Sequence, residues 1–237
     1  MMNKRYSIKN LISLLVMFFI GFSMPVNAQP PQTVIQNVQA KLNKVKNYVA
    51  TGRMKTNVIF IKAPIAKVKV YYKSPNLLQI KNESGISFIP KGAININLNS
   101  IFVDPDGFDL IDMGKDASTS WRVIKLLPKD ENANIVLSTL YIDTKNWLIQ
   151  KATTTTKENG TYELLMTYGK YADWGLADKV VFRFNTKNYK LPKGITFDYD
   201  DGIDDKTNSQ LKKKKGELII NYSSYVINKG LPDTVFQ

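Results

Sequence analysis

The stretch YVATGRMKTNVIF, residues 48–60, decides the fold. Its even positions are Tyr48, Ala50, Gly52, Met54, Thr56, Val58 and Phe60, mostly apolar or small. Between them fall Arg53, Lys55 and Asn57. A period of two places one side chain in, the next out, and describes a long half-exposed strand.

Immediately upstream the period is different. Val34, Ile35, Val38, Leu42 and Val45 recur at helical spacing, with Gln36, Lys41, Lys44 and Lys46 elsewhere. This predicts one amphipathic helix, capped by Thr33 and running to Tyr48.

Downstream the period of two continues. Ala66, Val68, Val70 and Tyr72 alternate with Ile65, Lys67, Lys69 and Tyr71, and Ser74-Pro75-Asn76 turns the chain into Leu77–Lys81. Further strands are predicted at Ile86–Phe88, Ala93–Val103, Phe108–Ile111, Trp121–Leu127, Ile135–Ile142, Leu148–Thr156, Thr161–Tyr168, Val180–Asn185, Ile195–Tyr199 and Glu217–Ile227. Asp104-Pro105-Asp106-Gly107 carries the residues of a type I turn. Asn159-Gly160 is a hairpin signal. About eleven short strands with a single helix predict a mainly β, meandering antiparallel sheet.

The first 28 residues read as a signal peptide. Lys4, Arg5 and Lys9 precede an apolar run from Leu11 to Phe22, and Val26-Asn27-Ala28 ends it. That run is shorter than the about 20 residues a spanning helix needs. Cleavage after Ala28 and residence in the periplasm are the expectation, with residues 29–237 as one domain. With no cysteine, neither disulfides nor a lipidated N-terminal cysteine is available. Three of the 13 net positive charges lie in the signal peptide, leaving +10. In an exported chain such a charge suits anionic headgroups or an acidic protein rather than nucleic acid. Scattered lysines also keep strand edges unpaired.

With neither histidine nor cysteine, the chain lacks Ser-His-Asp and Cys-His catalysis and the usual zinc ligand sets. No glycine-rich phosphate loop is present. Two acidic clusters remain: Asp104, Asp106, Asp109 and Asp112, and Asp198 to Asp205 around Gly202. Setting Gly202 as the sixth residue of a calcium loop puts Phe197 first, so that pattern fails. Turn chemistry is the simpler explanation of both clusters, with a loose calcium site and a hydrolase using paired carboxylates as the alternatives. No enzyme activity, cofactor or metal is expected.

The ordered motifs resemble the LolA-like family of periplasmic lipoprotein-sorting proteins. A signal peptide is followed by Val38-Gln39-Ala40-Lys41-Leu42 leading to Tyr48 and the first strand. Val70-Tyr71-Tyr72-Lys73-Ser74-Pro75-Asn76-Leu77-Leu78 is similar to the family's aromatic-x-Lys-x-Pro-Asn-Leu segment. Leu126-Leu127-Pro128-Lys129 and Leu140-Tyr141-Ile142-Asp143 resemble two later strands of the family, and the ending Ile227-Asn228-Lys229-Gly230-Leu231-Pro232-Asp233-x-x-Phe236 resembles the tails of related envelope proteins. The resemblance implies an unclosed, curved half-barrel with helix across its concave face. It also implies an apolar hollow for the acyl chains of lipids or lipoproteins.

By alternation, the residues expected on the concave face are Tyr48, Met54, Val58, Phe60, Val68, Val70, Tyr72, Leu78, Ile80, Ile94, Ile96, Leu98, Leu140, Ile142, Leu164 and Met166. Lys55, Lys67 and Lys69 are the expected headgroup rim. A monomeric carrier of acyl chains, served by membrane lipoprotein-handling proteins, is the first functional expectation. The alternative is an envelope interaction or stress-sensing module that binds a membrane-anchored partner.

Overall fold

Helix α1 spans Pro31–Leu42 in the computed structural model, which describes residues 29–58, 61–62, 65–84, 102, 104–185 and 215–236. Proline suits a first helical turn because its missing N–H has no partner there in any helix. Val34, Ile35 and Val38 are buried on one face. The helix therefore begins before Thr33 and ends well before Tyr48, correcting the expected span. Lys44 N bonds Lys41 O and Val45 N bonds Leu42 O, three residues back in each case. These tighter bonds close the last turn. Val45 reaches the interior from that turn rather than from the helix.

The strands are β1 (Asn47–Val58), β2 (Ile61–Lys62), β3 (Ala66–Lys73), β4 (Leu77–Ser84), β5 (Phe108–Lys115), β6 (Arg122–Pro128), β7 (Ile135–Asp143), β8 (Leu148–Thr156), β9 (Gly160–Thr167), β10 (Lys179–Asn185) and β11 (Lys215–Ile227). All pairings are antiparallel. Ten of them form one path, β4-β3-β1-β11-β10-β9-β8-β7-β6-β5, and the short β2 pairs with β1. The path does not return on itself among the described residues, so the sheet is an open half-barrel. The first and last strands, β1 and β11, are the third and fourth of that path and pair with Tyr48 opposite Ile227 and Asn57 opposite Glu217.

The expected strands Ile86–Phe88 and Ile195–Tyr199 lie outside the described residues, as does Ala93–Val103 apart from Phe102. The Asp104–Gly107 turn is a short 3-10 turn in which Gly107 N donates to the Asp104 carboxylate. The Asn159-Gly160 signal does mark a hairpin, but not a two-residue one. Thr156 pairs with Gly160 across a three-residue loop, and Gly160 takes a φ of 66°, which favours glycine.

The core lies between α1 and the concave face of the sheet. Val34, Ile35 and Val38 belong to one buried cluster with Met54, Val68, Ile124, Leu126, Leu140 and Ile142. On the other face, polar pairs cross the strands. Glu163 sits 2.8 Å from Lys151 and 3.2 Å from Arg183, which also reaches Glu217 at 3.1 Å.

Candidate binding cavity

Beside this core the concave face leaves a hollow of about 200 Å³. Three sources wall it. The sheet supplies Val70, Tyr72, Leu78, Ile80, Leu164 and Met166, with Val180 and Phe182 on β10 and Leu218 and Ile220 on β11. Helix α1 and its exit supply Val38, Leu42 and Val45. The third wall is Trp147 to Ile149 together with Trp174 to Ala177, which follow the β7–β8 turn and the 3-10 turn Ala172–Trp174. Among the described residues, none that lines the hollow carries a charged side chain.

A cluster of tyrosines forms one end. Tyr48 stacks on Tyr72 with ring centres 5.2 Å apart and meets Tyr225 edge-on at 5.3 Å. Tyr225 also packs against Tyr171 at 4.8 Å and Tyr222 at 5.2 Å. Such ring pairs contribute beyond the area they bury. Tyr222 and Tyr225 are an odd number apart, and plain alternation would send them to opposite faces. A register shift removes the conflict. Gly52 pairs with Tyr222 but Thr51 with Ser224, leaving Ser223 as the extra residue of a bulge. The Ser223 hydroxyl donates to Thr51 O at 3.0 Å. Opposite the bulge only glycine fits, because a Cβ on Gly52 would stand 2.7 Å from Asn221 O.

Four tyrosine hydroxyls at the hollow, those of Tyr48, Tyr168, Tyr222 and Tyr225, are held in the neutral form. Burial pushes Tyr48 well above its ordinary pKa, with Tyr222 and Tyr72 adding to the effect. Burial likewise raises Tyr168, Tyr222 and Tyr225. Tyr168 donates to Ile149 O at 2.8 Å and Tyr225 to Ala177 O at 2.6 Å. The hollow thus presents rings, aliphatic groups and satisfied or neutral hydroxyls. It suits an apolar ligand held by displacement of water, worth about 0.8 kcal/mol per buried CH₂.

Of the residues expected on the concave face, Tyr48, Val70, Tyr72, Leu78, Ile80, Leu164 and Met166 line this hollow. Met54, Val68, Leu140 and Ile142 face the same way but are 0–1% exposed and belong to the filled core. Val58 is the last residue of β1, and Phe60, Ile94, Ile96 and Leu98 fall outside the described residues. The three lysines need correcting. Lys55, Lys67 and Lys69 alternate with buried Met54, Thr56, Val68 and Val70, so they stand on the outer face. Lys69 is also paired with Glu83 at 2.5 Å. They form no rim to the hollow.

Sequence reasoning missed the walls from β10 and β11. The alternation Leu218, Ile220, Tyr222 and Val180, Phe182 was the available signal. The acids near Gly107 serve local structure: Asp112 pairs with Arg122, and Asp109 lies 4.0 Å from Lys129. Among the described residues, no group of three or more His, Cys, Asp or Glu could hold a metal ion. Among the same residues no helix is long and apolar enough to cross a membrane.

No described protein family matches the sequence, and no curated protein does. Solved structures do match the fold. A LolA superfamily protein from Nitrosomonas europaea aligns with a TM-score of 0.55 at 10% identity, over 89% of this chain and 98% of that one. A domain assigned to outer membrane lipoprotein sorting, from Vibrio parahaemolyticus, aligns with a TM-score of 0.55 at 10% identity, over 86% and 94%. A DUF1329 family protein from Desulfovibrio piger gives 0.52 at 12% identity, over 89% and 98%. The resemblance seen in the sequence therefore holds for the fold, which is LolA-like.

Proposed function

We propose that this chain is a periplasmic binding protein or carrier for the acyl chains of lipids or lipoproteins, and that it acts without catalysis. One observation carries the reading: a hollow on the concave face whose described lining is free of charge and consists mainly of aliphatic and aromatic side chains from helix, sheet and loop. An acyl chain needs no polar partner, so apolar area alone provides the affinity. The LolA-like fold supports the same reading, as does the Lys4–Ala28 export signal. Residues 29–237 are then the working protein, acting as a monomer.

The test is native mass spectrometry of protein purified from a bacterial envelope fraction, alongside ANS binding to delipidated protein. The expected result is a co-purifying acylated molecule, and ANS fluorescence that palmitate displaces. A chain that stays lipid-free and neither binds ANS nor releases it to palmitate would overturn the proposal.

A further inference from the structure

A second hollow, of about 180 Å³, adjoins the first. Its lining is Gln39, Asn43, Ser74 and Pro75, together with Phe102 and two residues that also line the apolar cavity, Leu42 and Tyr72. Those two side chains are therefore the partition between the hollows. Tyr72 is amphipathic in the required sense. Its ring stacks on Tyr48 inside the apolar cavity, and its hydroxyl donates to Pro75 O at 3.2 Å in the neighbouring one. The second hollow has polar character, and among the described residues none that lines it is charged. The Gln39 amide donates to Phe102 O at 2.7 Å, which holds the carboxamide in place. Asn43 and Pro75 are exposed, so this hollow opens to water.

We infer that the second hollow is the headgroup site of the proposed acyl ligand, and that it takes an uncharged hydrogen-bonding group such as an alcohol, ester or amide. The inference rests on the acyl-binding reading above. A chain lying against Tyr48 and Val70 passes the Leu42–Tyr72 partition and places its polar end among a carboxamide, a hydroxyl and backbone carbonyls. An ionised phosphate there meets no cation among the described lining residues. A neutral headgroup has its lost hydrogen bonds replaced.

The experiment compares displacement of bound ANS by three ligands of equal chain length: hexadecanol, monopalmitoylglycerol and palmitoyl lysophosphatidic acid. Monopalmitoylglycerol is expected to act at about tenfold lower concentration than the phosphate, the scale of one hydrogen bond gained. In Asn43→Leu, Ser74→Ala and the double variant, this preference should fall to about twofold or less, as hydrogen-bond partners are removed. ANS binding itself should remain. Asn43 is exposed, so its single variant keeps the test open if the double variant does not fold. Equal displacement by the glycerol and phosphate ligands overturns the headgroup site while leaving acyl binding standing. An unchanged preference in all folded variants overturns it too. Failure of every ligand to displace ANS overturns both readings.

Discussion

The Tyr225 hydroxyl donates a 2.6 Å hydrogen bond to Ala177 O, tying β11 to the loop that walls the hollow. Ala177 is buried, so its carbonyl loses its hydrogen-bond partner once the hydroxyl is removed. Tyr225→Phe is expected to cost about 1–3 kcal/mol, the penalty of a buried carbonyl left unsatisfied. Urea unfolding measures the loss. A variant as stable as the parent would show that the tie contributes nothing.

Ile80 lines the hollow from β4, an end strand of the described sheet path, and is only half-buried. Ile80→Trp has room to fold and fills the space a ligand needs. ANS and palmitate binding should weaken by about tenfold or more, equivalent to about 1.4 kcal/mol. Thermal unfolding should shift little. Unaltered binding in a folded Ile80→Trp protein would place the ligand elsewhere.

Leu140 faces the same way as the lining residues but is completely buried in the core. Leu140→Ala is expected to destabilise by about 2–5 kcal/mol, since the cavity left behind collapses only in part. Calorimetry or urea unfolding checks this. Residual folded protein should bind ANS with the parent's affinity, because Leu140 does not line the hollow.

Lys55, Lys67 and Lys69 stand on the outer face. Replacing all three with alanine should leave acyl affinity within about twofold, the scale of weak exposed charges. A large loss in a palmitate titration would restore them as headgroup contacts.

Alkaline pH should unfold the protein early. Burial raises the pKa of Tyr48, Tyr168, Tyr222 and Tyr225 in the folded chain. Above pH about 10 the unfolded chain ionises these phenols while the folded one keeps its protons. The unfolded state then binds fewer protons, so stability falls as pH rises, by about 1.4 kcal/mol per pH unit for each such tyrosine. The window opens at the ordinary tyrosine pKa. Tyrosinate absorbance should rise together with the loss of sheet signal in circular dichroism. Ionisation of all tyrosines before any loss of structure would contradict the buried placement.

Much of the architecture is written locally. The side chains of β1 and β3 alternate as residues 50–57 and 66–72 do, and β8 begins and ends where its sequence pattern does. One helical face, Val34, Ile35 and Val38, is equally plain. The end of α1 was not, because Val45 and Tyr48 continue a hydrophobic rhythm that serves a buried turn and a strand instead. Nor does alternation separate Leu78 and Ile80, which line the hollow, from Leu140 and Ile142, which fill the core: all four are apolar residues on the inward face.

The sequence alone thus determined that a strand-rich chain buries one face of its sheet, since a period of two follows from the geometry of a single extended backbone. The tertiary structure decided where that face is filled and where it stays open. The hollow exists because β11, from the far end of the chain, pairs with β1 and bulges at Ser223, which turns Tyr222 and Tyr225 to the same side. Pairings between residues more than 150 positions apart, and the parity change a bulge introduces, depend on contacts that no local pattern carries.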